Sequence, residues 1–276
     1  MIVTDKKLER SEEFIIHDLA VLTESDKWKK YCRVTANAMS VIPWVGSILA
    51  SGAAAHGEKS QGQVNALYEE WLQVHKTKIE LLAQSLDEVT ERLESIPEEF
   101  EARIQSEQYL GLVRRAFRSW DTSDTAEKRQ YVVNLISNAA ASNICPDDQI
   151  RLFNDWLDTY HEIHFKVIRS IYQKPGITRL GIWQSVSDIV PRENSAEADL
   201  FKLLIRDLST GSVIRQFRPI NTQGQFVKQT HTTKRSGSGS NTMESAFENT
   251  KQYELTELGS QFVHYTMNQV VKRLES

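Results

Sequence analysis

Few residues in this 276-residue chain have the type and spacing to do chemistry. His161 and His164 stand three apart in the run His-Glu-Ile-His, a spacing that can hold a metal ion from one turn of helix. No third ligand accompanies them, so the pair reads as a polar helix face and no metal is expected. His75 falls on an apolar seam without a second ligand and reads as a packed or half-exposed histidine. The acid pairs Glu98/Glu99 and Asp147/Asp148 would suit proton transfer, yet each sits where a helix begins and where carboxylates favour the helix dipole. Cys32 and Cys145 form neither a CxxC nor a Cys/His cluster, which points to reduced thiols in a cytosolic protein. The phosphate-cradling GxxxxGK[ST], the dinucleotide GxGxxG, the nucleophile-bearing GxSxG and the zinc-binding HExxH are all missing from the sequence. The expectation is a protein that is not an enzyme and takes no cofactor.

The most conspicuous stretch is Val34–Gly57, which holds no Lys, Arg, Asp or Glu although charged residues crowd both sides of it. Lys27, Lys29, Lys30 and Arg33 lead into it. Its length suits a membrane span, but Thr, Asn, Ser, Ala and Gly dilute its hydrophobicity. Pro43 has no N–H and biases Ile42 away from the helical region, so the stretch divides at Ile42–Pro43 into two short helices. Small residues four apart (Gly46/Ala50, Ser47/Ser51, Ala50/Ala54) allow a neighbouring helix to approach closely. Two roles suit it: a hairpin buried in a bundle, or a conditional membrane element. In the second role Trp44, Val45, Ile48 and Leu49 would enter the bilayer while Lys29 and Lys30 meet anionic headgroups.

The elements that must position these residues follow from periodicity. Between Gln61 and Ile96 the apolar residues Ile79, Leu82, Leu86, Val89, Leu93 and Ile96 alternate by three and four, the seam of a coiled coil or long bundle helix. The stretch Pro97–Phe117 is expected to turn back as its antiparallel partner. Asp124 with Glu127 reads as the N-terminal cap of a helix burying Val132, Leu135, Ile136 and Ala139. After Pro146 another helix turns Ile150, Phe153, Trp156, Leu157, Tyr160 and Ile163 inward. Charge divides the chain in a similar place. Residues 1–160 hold 18 Lys+Arg against 26 Asp+Glu, and residues 161–276 hold 15 against 11, so the two parts carry opposite net charge and suit different partners.

Beyond residue 160 the pattern changes. A helix ends at Lys174-Pro175-Gly176, a short helix follows, and Asn194 with Glu197 caps a third that stops at Thr210-Gly211. A strand, a long polar excursion, a returning strand and a last helix complete the order of a winged helix-turn-helix. The excursion, about 218–250 with Ser-Gly-Ser-Gly-Ser-Asn at its centre, reads as an enlarged flexible wing. If such a unit binds nucleic acid, Lys202 and Arg206 project from the third helix, and Arg215, Lys228, Lys234 and Arg235 lie on the strand and wing. Glu197 and Asp199 at the start of that helix would repel phosphates, which favours protein docking or dimerisation instead. The fold class expected is therefore mainly α: a long-helix, coiled-coil-like bundle (1–160) with its apolar hairpin, followed by a winged-helix domain (161–276) with a small β-wing.

Three segments together resemble bacterial abortive-infection proteins of the Abi-alpha type: Ile-Pro-Trp-Val-Gly-Ser-Ile-Leu-Ala-Ser-Gly, the helix pair beginning at Ala126 and Asp147, and the closing Tyr253-Glu254-Leu255-Thr256-Glu257-Leu258-Gly259. The resemblance implies a cytoplasmic helical phage-defence protein and brings no site residues. The seam helix beside a Gly/Ala-rich hairpin also looks, in architecture, like α-helical pore-forming toxins. The expectation drawn from these features is a non-enzymatic defence or stress effector, membrane-associated when activated. Its winged helix would sense or dock a trigger, either DNA or a phage or host protein. The alternatives are a DNA-binding transcriptional regulator that dimerises through its helical body, and an oligomeric structural adaptor. Self-association is expected in each.

Overall fold

A computed structural model describes residues 31–45, 62–142, 144–187, 189–219, 221–223, 225–227 and 245–267, with the side chains of 32, 62–76 and 79 outside the description. Among these residues the protein is mainly helical, with one small antiparallel sheet of three strands. The chain forms two compact units. One comprises Met1–Thr159 with Tyr265–Ser276, the other Tyr160–His264.

The first unit begins with α1 (Cys32–Met39) and a helical restart at 43–45. The long helix α2 (Gly62–Glu94) is 33 residues, about 50 Å at the usual helical rise. A 3₁₀ turn (Glu98–Phe100) and the single-turn α3 (Glu101–Ile104) lead to α4 (Glu107–Thr122), α5 (Ala126–Ala141) and α6 (Asp147–Thr159). Helix α5 is the centre of this unit. Every residue from Tyr131 to Ala140 is buried, because α2, α4 and α6 pack around it. A helix enclosed on all sides needs partners for its polar side chains. The Asn134 amide N–H donates to the Thr266 carbonyl at 2.7 Å, and its oxygen accepts from Arg92 at 2.6 Å. One turn on, Asn138 donates to the Tyr265 carbonyl at 3.0 Å. Tyr109 donates from within the core to the Ile136 carbonyl, and burial raises its hydroxyl far above the ordinary tyrosine range.

Four of the expected seam residues of α2, Leu82, Leu86, Val89 and Leu93, are buried, whereas Ile96 lies past the helix end and is half-buried, and the Ile79 side chain lies outside the described residues. The main partner of α2 differs from the expected one. The stretch after Pro97 is broken into a 3₁₀ turn, α3 and α4, and α2 packs chiefly on α5. The break has a local cause: Ser106 is extended and its hydroxyl accepts from the Tyr109 N–H, starting α4 afresh. Two caps also fall one residue later than expected. Thr125, in place of Asp124, caps α5 through Lys128 N–H, and Glu127 instead accepts from the Tyr131 hydroxyl.

In the second unit α7 (Glu162–Gln173) precedes β1 (Ile177–Thr178), α8 (Arg179–Val186) and α9 (Ala196–Thr210). Then come β2 (Ile214–Gln216), β3 (Gln252–Leu255) and α10 (Glu257–Thr266), whose last two residues group with the first unit. The strand order is β1-β3-β2, with Ile177 opposite Tyr253 and Arg215 opposite Glu254. Ser195, in place of Asn194, caps α9 through the Ala198 N–H. An aromatic cluster fills the interior: Phe247 stacks on Phe201 at 5.5 Å and leans on Trp183 at 5.4 Å. The expected flexible wing therefore stops short of residue 250, since Ala246 and Phe247 are buried and anchor its returning end.

Candidate functional site

Two regions carry the residues singled out from sequence, one in each unit. In the first, Val34, Ala38 and Ile42 recur every fourth residue, so one face of α1 and the turn after it is apolar and buried. Pro43 opens the next helical piece at the position where a missing N–H costs nothing. Trp44 and Val45 are buried, Trp44 at 9% exposure. Polar ties hold this stretch. The Trp44 indole N–H donates to the Asp121 carboxylate at 2.6 Å, with the Lys78 ammonium 3.8 Å from the same oxygen. Arg114 on α4 donates to the Asn37 side-chain oxygen, and at the start of the stretch Arg33 pairs with Glu107 at 2.7 Å. The Tyr31 hydroxyl reaches the Leu93 carbonyl at 3.2 Å. Ile48, Leu49, Lys29 and Lys30 lie outside the described residues, and so does the second half of the expected hairpin. No helix among the described residues is long and apolar enough to cross a membrane.

In the second unit α9 presents its buried side, Ala198, Phe201, Leu204, Ile205 and Leu208, to the aromatic cluster. Its outer side carries Lys202 and Arg206, as the sequence suggested. Each has an acidic neighbour on the same helix: Lys202 lies 3.4 Å from Asp199 and Arg206 3.6 Å from Asp207. Two leucines share that side, Leu200 at 41% and Leu203 at 38% exposure. Arg215 on β2 is paired with Glu254 at 2.7 Å and lies over the exposed Phe226 ring at 5.3 Å. Lys228, Lys234 and Arg235 lie outside the described residues.

The end of the sheet explains the closing Leu-Thr-Glu-Leu-Gly. The Thr256 hydroxyl accepts from the Gly259 N–H at 2.9 Å, and its backbone N–H donates to the Val213 carbonyl at 3.0 Å. A Cβ on Gly259 would stand 2.1 Å from that carbonyl oxygen, so only glycine lets α10 come this close. The turn beneath is tight, with Ser212 in the left-handed region at φ 59°. The histidine pair is absorbed locally: the His161 backbone N–H donates to His164 Nδ1 at 3.1 Å, and the His164 ring stacks on Tyr160 at 5.0 Å. Burial, then the nearby Asp207 carboxylate, pushes the Tyr160 hydroxyl up to about 12.

Sequence reasoning missed the partners of the apolar stretch, Asp121, Arg114 and Glu107, because nothing in the spacing links residues some 70 positions apart. It also passed over Leu203, which falls off the apolar stripe of Ala198, Phe201, Leu204 and Leu208, whereas Leu200 continues that stripe by spacing and only the structure shows it exposed. No family model, curated protein or solved structure is significantly similar to this chain.

Proposed function

We propose that the protein is a non-enzymatic effector whose two units have different duties. The first stows the apolar Val34–Gly57 stretch, and the second, a winged helix, docks what triggers its release. The observation that carries this reading is the way the described half of the stretch is held. Its apolar side chains face inward, but α4 secures it through polar ties at Asn37 and Trp44. Such ties orient the element, so losing one lowers the cost of releasing it, a cost that also includes withdrawing the buried Val34, Ala38 and Ile42. In the second unit, the helix–strand–helix–helix–strand–strand–helix order with β3 central supports the winged-helix assignment. Transcriptional regulation through DNA has weaker support, since the described cations at Lys202, Arg206 and Arg215 already have carboxylate neighbours that would compete with phosphate.

Dye release from vesicles rich in phosphatidylglycerol tests the reading. Asp121→Ala leaves the Trp44 indole without its carboxylate and should raise release several-fold over the unaltered chain, while adding Trp44→Asp and Ile48→Asp should abolish it. Equal, background-level release by the unaltered and Asp121→Ala proteins at both neutral and mildly acidic pH would sink the effector idea.

A further inference from the structure

The outer side of α9 is complementary to itself. Along this 15-residue helix, Asp199, Leu203 and Arg206 stand four and three apart, so they share one line, with Leu200 flanking it. All four are exposed. The acid lies toward the N-terminus and the base toward the C-terminus. A second α9 laid antiparallel across a two-fold axis near Leu203 would bring Asp199 of each copy to Arg206 of the other. The two Leu203 side chains would then meet at the axis, with Leu200 of each copy covering their flank. Antiparallel helices also set their dipoles head to tail, and a two-fold contact of this kind is isologous, so every favourable pair occurs twice. A nucleic acid would satisfy only the bases and leave Asp199 and the leucines facing phosphate. A second copy satisfies Asp199, Arg206 and the leucines together, with Lys202 at the edge of the contact still beside Asp199. We infer that the second unit is a homodimerisation module and that α9 is its contact helix.

This goes beyond the trigger-docking role proposed for the second unit and does not depend on the stowed stretch. A single helix pair buries less than a standard protein interface, so the expected dimer is weak, with a Kd on the order of 10 μM to 1 mM. The current ion pairs with Asp199 and Asp207 are exposed and cost little to exchange for the intermolecular ones.

Sedimentation equilibrium of the full chain, from about 10 μM to about 1 mM, is the test. Leu203→Glu should leave the chain essentially monomeric across this range, because it places two carboxylates at the axis. Asp199→Lys and Arg206→Glu should each weaken it by about tenfold, since each makes two like-charged contacts, and the double variant should return it to within about threefold of the unaltered chain. All four variants lie on the exposed side, and circular dichroism of each checks that the fold is kept. A chain that stays monomeric to 1 mM, a dimer indifferent to Leu203→Glu, or a double variant no better than the singles overturns the inference. Vesicle release measured on the same samples reports on the stowed stretch separately, so a failure of one reading is not read as failure of the other.

Discussion

Between Val34 and Val45 the chain carries no charge, and there the apolar side chains turn inward while charged groups on α4 reach in to hold the stretch. Helix α9 is rich in charge, yet two leucines stand on its outer side among acids and bases that pair along the helix. Composition would have assigned the roles the other way, with the greasy stretch as the adhesive surface and the charged helix as the solvated one. What separates them is the partner each already has. The stretch at 34–45 has found its apolar neighbours inside the first unit. The outer leucines of α9 stay more than a third exposed, Leu200 at 41% and Leu203 at 38%, among charged neighbours.

That contrast can be broken most severely at the interior of the second unit. If the leucines of α9 were exposed merely because this unit is loosely built, its close contacts would tolerate added bulk. Gly259→Ala drives a Cβ against the Val213 carbonyl oxygen and should cost about 3 kcal/mol in denaturant unfolding followed by circular dichroism. A cost under about 1 kcal/mol would mean that the unit is soft and the exposed leucines need no partner.

A direct pair of substitutions sharpens the comparison itself. Val34→Ala, at 1% exposure, should destabilise by about 2 kcal/mol, whereas Leu203→Ala should stay within about 0.5 kcal/mol at concentrations where the chain is monomeric. Equal costs in thermal or chemical unfolding would erase the distinction between a satisfied and an unsatisfied apolar surface.

The smallest effect concerns the anchor of the segment leading into β3. The Ser245 hydroxyl, then the Ala246 N–H, both donate to the Glu193 carboxylate and hold it below the ordinary carboxylate range. A carboxyl with a depressed folded value adds stability that is present above its unfolded value and is lost as pH falls through the folded one. Protection of the Ala246 amide against hydrogen exchange should therefore hold at neutral pH and decline as pH drops below the usual carboxylate value. In Glu193→Gln that protection should be lower at neutral pH and show no such decline. A pH-independent protection factor in the unaltered chain would show that Phe247 packing alone holds the returning end.

Much of the fold could be read in advance because its signals are local. The heptad of α2 is a property of spacing, and Leu82, Leu86, Val89 and Leu93 follow it inward. Pro43 announces the break after Ile42 through its missing N–H, whatever surrounds it. Thr256 and Gly259 sit at a strand-to-helix join that the order of residues already suggested. Caps slipped by a residue at Thr125 and Ser195 because several hydroxyls and carboxylates compete within one turn, and the extended backbone of one decides. The partner of α2 was beyond local reasoning altogether. Spacing gave helix α5 one inner face, Val132, Leu135, Ile136 and Ala139, but Tyr131–Ala140 is buried on every side, and no local pattern names α2 as one of the partners.

By itself, then, the order of residues determined most of the described helices, the break before Pro43, and that the second part runs from helices into a small sheet, but not the break at Ser106. These follow from backbone preferences and from apolar spacing over one or two turns. Only the tertiary structure decided that Asp121 holds Trp44, that Asn134 and Asn138 donate to the Thr266 and Tyr265 carbonyls, and that Leu200 and Leu203 remain outside. Those outcomes depend on which surfaces the folded chain brings within hydrogen-bonding or van der Waals reach. That reach is set by the packing of whole helices, and no single stretch of sequence contains it.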